Sequence, residues 1–187
     1  MAALLASENA AAGHRIEWLN GRLPLQVSAY TSIRRDLPAE VLTSVRCLVR
    51  VDDRIVLCET RDGERHIVPG GRRIDGERFE QTAAREVHEE TGWLLRPESI
   101  RTLGWLHLQN LNDAPLHPSL PYPDFLQLVM CGSATERDGG RDANWTDIEG
   151  HETSSRLVSA DEARASTSNE LLELVYLEIM LGRHDNR

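Results

Sequence analysis

Glu86, Glu89 and Glu90 stand at spacing i, i+3 and i+4. On an α-helix, at about 100° per residue, that spacing puts the three carboxylates on one arc. Like charges so placed repel, and an i, i+4 pair costs a helix roughly 0.2–0.5 kcal/mol. A cation seated among them reverses the sign. Oxygen-only donors on a firm scaffold suit a hard divalent ion, Mg²⁺ or Mn²⁺. Just upstream, Gly70-Gly71 lets the backbone turn tightly and come close to an ion, so that a glycine carbonyl adds a further oxygen. Arg85 can hold a carboxylate by a charge-assisted fork. Arg72 and Arg73 leave the glycine turn with guanidinium groups suited to phosphate oxygens. Taken alone, the glutamate triplet also fits a solvated helix with Arg85–Glu89 as an i, i+4 ion pair.

The surrounding residues carry more than the triplet. Gly71, Glu77, Arg85, Glu86, Val87, Glu89, Glu90, Gly92 and Trp93 fall in register on the pattern G-x5-E-x7-R-E-U-x-E-E-x-G-U, where U is a bulky apolar residue. This stretch resembles the Nudix box, the signature of the Nudix hydrolase family. Trp93 stands where a branched aliphatic residue is usual, and Val68-Pro-Gly-Gly71 resembles the usual lead-in. The resemblance implies an α/β (α+β) fold, a mixed β-sheet sandwiched between α-helices, over about residues 42 to 182. It implies hydrolysis of a nucleoside diphosphate linked to another moiety, with Mg²⁺ or Mn²⁺ as cofactor. Carried over, Glu86, Glu89 and Glu90 would be metal ligands, helped by the Gly71 carbonyl. Arg85 would orient a glutamate, and Glu77 would tie the loop to the helix. Glu89 is the favoured general base within the box. Glu149 or Glu152, from a later segment, are alternatives, and simple solvated loop charge is the other reading of those two. No further subfamily signature follows the box at Leu108 to Leu111. A nucleoside triphosphate, a nucleotide sugar and ADP-ribose all stay open as substrates.

Several elements must position these groups. Leu42 to Val51 and Arg54 to Glu59 read as strands joined by an Asp52-Asp53 turn, and His66 to Val68 as a short strand before the glycines. Arg78 to Thr91 follows a helical period and stops at Gly92. Ile100 to Leu108, Phe125 to Cys131 and Arg156 to Val158 read as strands. Ser159 to Glu162 and Thr167 to Glu170 match capping boxes that start two closing helices, the second with Leu171, Leu174, Val175 and Ile179 and an end at Gly182. Residues 1–40 form an N-terminal extension before a domain at 41–187. In the extension, Ala2 to Asn20 reads as a helix and Leu25 to Thr31 as a strand that could be exchanged with, or contact, a second copy in a homodimer.

Composition bounds the function. A chain of 187 residues is one domain with a small appendage. Every one of its 21 basic residues is arginine, which excludes Schiff-base chemistry and a P-loop lysine. A formal net charge of −9 does not attract nucleic acid or anionic lipid. The partner that the Nudix resemblance implies is a small-molecule nucleotide. No apolar run approaches the roughly 20 residues of a membrane helix, and the start lacks the basic region of a secretory signal. Cys47, Cys58 and Cys131 form no C-x-x-C pair and lie in apolar runs, which fits buried thiols in the cytoplasm. His88 points away from the glutamates. Trp105 and His107 alternate as one face of a strand. Tyr122, Phe125 and Trp145 are either base-stacking aromatics or anchors over the core. A catalytically silent module that binds a nucleotide and regulates a partner is the alternative function. An ordinary structural protein with a charged helix is the third.

Overall fold

The computed structural model describes residues 1–19, 21–116, 118, 120–141, 145, 147, 150–167 and 170–182. A short helix, α1 (Ala2–Ala6), precedes a hairpin of β1 (Ala12–Trp18) and β2 (Leu23–Tyr30). Next come β3 (Leu42–Val51), β4 (Arg54–Thr60), β5 (Arg65–His66), α2 (Phe79–Thr91), β6 (Trp93–Leu95), β7 (Arg101–Asn110) and β8 (Asp124–Arg137). The chain closes with β9 (Glu152–Val158), α3 (Ala160–Ser166) and α4 (Glu170–Gly182).

The main path of the sheet runs β1-β2-β7-β8-β3-β4-β5, with β9 beside β4 and β6 beside the far end of β8. The β3–β8 pair is parallel, whereas β7–β8 and β3–β4 are antiparallel, so the sheet is mixed. Both faces of β3 are covered, which is why its sequence is apolar almost throughout. Val45, Cys47 and Val49 face α2, together with its Ala83 and Val87. Leu48 lies in the opposite cluster, with Ile55, Leu57 and the α4 residues Leu172, Tyr176, Leu177 and Met180. Fully burying each such aliphatic side chain contributes about 1.5–3 kcal/mol, and this holds the three layers together. The mixed sheet between helices expected from the sequence is therefore the architecture observed.

Three local features differ from the sequence reading. Residues 12–18, expected in a helix, form β1, paired residue for residue with β2 from Ala12↔Ala29 to Trp18↔Leu23. Its side chains alternate between half-buried and exposed, with Ile16 and Trp18 turned inward. That period of two, together with pairing to a buried strand, overrides the helical preference of the preceding alanines. The strand begun at Asp124 runs on to Arg137, because Ala134, Glu136 and Arg137 pair with β6. In α4 the buried face is Leu172, Tyr176, Leu177 and Met180, with Leu174 and Ile179 only partly buried at its margin. The second capping box includes residues 168 and 169, which lie outside the described residues. The first is present at its hydroxyl end, where the Glu162 N–H donates to Ser159 Oγ at 3.1 Å.

Candidate active site

The site begins where the chain leaves β5. Gly70 and Gly71 run against β3: the Cys47 N–H donates to the Pro69 carbonyl at 2.9 Å and the Val45 N–H to the Gly71 carbonyl at 3.0 Å. Gly70 adopts φ +149°, and a Cβ there would lie 2.1 Å from the Val45 carbonyl oxygen. Only glycine fits that approach. Gly71 meets a different neighbour, since a Cβ there would lie 2.5 Å from Glu86 Oε2. The missing side chain is what lets α2 bring a carboxylate onto the turn.

The loop then reaches α2 through Glu77 and Arg78. The Arg78 N–H at the helix start donates to Gln81 Oε1 at 2.9 Å, satisfying one of the free donors there. Gly92 ends the helix in the left-handed conformation, φ 72°, with its N–H on the His88 carbonyl at 2.8 Å. Between these ends α2 buries Ala83 and Val87 on the sheet and turns Glu86 and Glu90 toward the glycines.

Arg85 organises the acidic groups. Its Nη1 donates to Glu86 Oε1 and to Glu89 Oε2, each at 2.8 Å. Its Nε donates to Glu77 Oε1 at 2.8 Å and its Nη2 to the Arg72 carbonyl at 2.9 Å. One guanidinium thus meets three carboxylates and the backbone of the turn. Glu77 also accepts from the Ile74 N–H at 3.2 Å and from the Thr82 hydroxyl at 2.9 Å. Arg85 holds the Glu77 carboxyl down at about 2, against the upward push of burial. Glu90 takes the other side of the turn, accepting from the Gly70 N–H at 2.9 Å. Burial pushes Glu90 up to about 7, while Arg46, His66 and the Gly70 N–H pull it down.

Among the described residues no three Asp, Glu, His or Cys side chains already stand together as a metal cage. Glu86 and Glu89 are turned to Arg85, and Glu90 to Gly70. The donor set nevertheless fits a hard divalent cation. Every donor is oxygen, and because Gly71 has no side chain the Glu86 carboxylate packs directly against the backbone of the turn. The Gly71 carbonyl keeps one lone pair beyond its bond to Val45.

A cleft of about 380 Å³ opens beside this cluster, lined by Thr43, Ser44, Gly71 and Arg72 and closed by Trp18 and Phe125. Arg72 is exposed at its edge. Arg73 turns the other way, its guanidinium carbon 5.3 Å from the centre of the Phe79 ring. Tyr122 is 42% exposed and donates its hydroxyl to the Asn112 carbonyl at 3.0 Å, which ties the loop before β8 to itself and leaves the ring outside the residues lining the cleft. Glu152 is buried on β9, with Oε1 3.0 Å from His66 Nε2. Its N–H donates to Asp147 Oδ2 at 2.9 Å. Glu149 lies outside the described residues. His88 meets Asp138 at 2.7 Å, away from the cluster. Trp145 caps the far end of α2, donating its indole N–H to the Glu89 carbonyl at 2.9 Å and covering Gly92. Trp105 stacks on Tyr30 at 4.0 Å, and His107 pairs with Asp124 at 2.7 Å, both inside the sheet.

Sequence reasoning missed Trp18 and Arg46 as cleft residues. Trp18 lay in the stretch read as a helix. Arg46 breaks the apolar run of β3, a charge in a strand covered on both faces, and is a signal the sequence offered.

The family model described as the NUDIX domain matches residues 41–175. The Bacillus subtilis pyrophosphohydrolase BsRppH is similar in structure, with a TM-score of 0.59 and 13% identity over 91% of this chain and 97% of that one. A NUDIX hydrolase from Nitrosomonas europaea has a TM-score of 0.56 and 21% identity, over 76% of this chain and 90% of that one. No curated protein matches the sequence significantly. No helix among the described residues is long and apolar enough to cross a membrane. With its box folded as a glycine turn leading into a glutamate-bearing helix, and with the domain match spanning most of its length, the chain belongs to the Nudix family of hydrolases.

Proposed function

We propose that the protein is a divalent-metal-dependent pyrophosphohydrolase that cleaves the diphosphate linkage of a small nucleotide, of nucleoside triphosphate, nucleotide sugar or ADP-ribose type. The observation that carries this reading is the convergence of Glu86 and Glu89 on one nitrogen of Arg85, with the Glu86 carboxylate packed against Gly71. The name of the Bacillus subtilis neighbour agrees with the reaction.

Mg²⁺ or Mn²⁺ would be held by Glu86, Glu89 and Glu90, with the free lone pair of the Gly71 carbonyl. When bound, such an ion neutralises diphosphate charge and lowers the pKa of water. The chain does the rest. Arg85 keeps the carboxylates aligned, and Glu77 anchors Arg85 to the loop. Arg72, at the rim of the cleft, meets phosphate oxygens, while Arg73 on Phe79 stiffens the turn. Glu89 accepts the proton of the attacking water. Glu152 is the second candidate for that step, although its bond to His66 engages one of its oxygens. Three buried cysteines support a cytoplasmic setting. A second copy would pair along β1, the outer edge of the sheet.

The test is a panel of nucleotides with Mg²⁺ or Mn²⁺, comparing wild type with Glu89→Gln. Turnover in wild type, and a loss of roughly 10²-fold or more in the variant, supports the reading. If both are equally inert and both bind nucleotide, the protein is a binding module instead.

A further inference from the structure

The β1–β2 hairpin lies outside the matched residues 41–175, yet it walls a second cavity of about 240 Å³ on the α4 side of the sheet. Ile16, Trp18, Leu106 and Leu108 form its apolar side, and Arg46, His66, Glu152 and Glu173 its polar end. This volume lies below the roughly 300–1,000 Å³ that takes a drug-sized ligand, and suits one ring system.

The polar end is incompletely satisfied. Glu173 accepts from the Ile67 N–H at 2.9 Å, and Glu152 Oε1 meets His66 Nε2 at 3.0 Å. Glu152 Oε2 and His66 Nδ1 are both buried with no partner among the described residues. Glu152 is only 8% exposed. Buried polar atoms are otherwise almost always paired. Burial works against a proton on His66, and the carboxylates around it, Glu152 foremost with Glu173 and Glu90, more than offset it, so the ring is held protonated to higher pH than usual. Its Nδ1–H is then a donor beside a carboxylate acceptor. The complement is a ligand edge with an N–H next to an acceptor.

Trp18 borders this cavity and the cleft at Gly71 alike, and Arg46 and Gln127 line both. Arg46 donates to the Gly70 carbonyl, and the Gly70 N–H donates to Glu90. Two hydrogen bonds therefore link the cavity to the acidic cluster.

We infer that this cavity is the subsite for the heterocyclic base of the substrate, with the flat ring against Trp18 and its hydrogen-bonding edge on Glu152 and His66. The inference rests on the hydrolase reading for the placing of the phosphates, but base binding itself needs no turnover. A sugar would also offer donors and acceptors, but it would leave the indole and three aliphatic side chains without an apolar partner.

The experiment is calorimetric titration of the full chain, in chelator, with guanosine, adenosine, uridine and cytidine, and with ribose as control. At least one nucleoside binds wild type and ribose does not. Trp18→Ala weakens that binding about tenfold or more, and Trp18→Phe, which keeps a ring, restores most of it. The subsite is overturned if no nucleoside binds folded wild type, if Trp18→Ala binds as wild type does, or if ribose binds equally well. Nucleoside binding without turnover of any nucleotide removes the hydrolase reading alone. Turnover with kcat/KM unchanged in Trp18→Ala removes the base subsite alone.

Discussion

Arg85 and Glu77 form a two-point ion pair, Nε to Oε1 at 2.8 Å and Nη2 to Oε2 at 3.2 Å, across the corner where the loop becomes α2. The geometry is the parallel fork that gives guanidinium–carboxylate pairs their strength. The same guanidinium holds Glu86 and Glu89, so the loop and the helix face are set by one side chain.

Acid should loosen this corner. The Glu77 pKa in the folded state, about 2, lies below its ordinary 4.5. The stability it contributes is therefore full above about pH 4.5 and lost as pH falls through 2. Wild type should exceed Glu77→Gln by on the order of 1–3 kcal/mol at pH 6, and the gap should close toward pH 2. Denaturant melts across that range check it, and a gap independent of pH would refute the account.

The two glycines should answer differently to alanine. Gly70→Ala drives a Cβ into the Val45 backbone, which cannot yield cheaply, and stability should fall by about 2 kcal/mol or more. Gly71→Ala meets the mobile end of Glu86 instead, so the carboxylate swings aside. The fold should survive with a change within about 1 kcal/mol, while metal binding is lost. Thermal melts and Mn²⁺ titration separate the two.

A divalent ion should stabilise the fold. At about 100 times its Kd a ligand adds roughly 2.7 kcal/mol, which for a chain of this size is a Tm rise on the order of 5 °C. Mg²⁺ or Mn²⁺ should raise Tm in wild type, EDTA should reverse it, and Glu86→Gln with Glu89→Gln should abolish it. An equal rise in the double variant would place the ion elsewhere.

Burial pushes Glu173 up to about 7, although His66, the Ile67 N–H and Arg46 act the other way. Because this value lies above the ordinary 4.5, its contribution is full below about pH 4.5 and is lost as pH climbs through 7. Glu173→Gln keeps an acceptor for the Ile67 N–H and removes the loss. The Tm of the variant relative to wild type should rise between pH 5 and 8, and a flat difference would count against the buried carboxyl as its cause.

The parts legible in the sequence are those where local chemistry and tertiary packing agree. The Asp52-Asp53 turn appears with Asp52 at φ 55°, and the helix ends at Gly92 as expected. Val45, Cys47 and Leu48 are buried as the apolar run of β3 implied. The nine box positions were legible as a pattern, but not the way one guanidinium gathers Glu77, Glu86 and Glu89. The hairpin was misread because the alanines before β1 favour a helix locally, while its strand character comes from pairing with β2. Glu152 sits in a polar stretch that gave no sign of burial. Its environment is made by His66, which lies far from it in sequence and is brought alongside when β9 and β5 flank β4.

Trp145 gives the helix a dependence that its own residues do not reveal. Its indole bonds the Glu89 carbonyl and fills the notch above Gly92, so the turn bearing Glu89 and Glu90 is clamped by a residue far downstream. The motif is consequently not a portable cassette. Residues 70 to 93 grafted into a foreign scaffold would arrive without their clasp, and their final turn would fray before it met any ion.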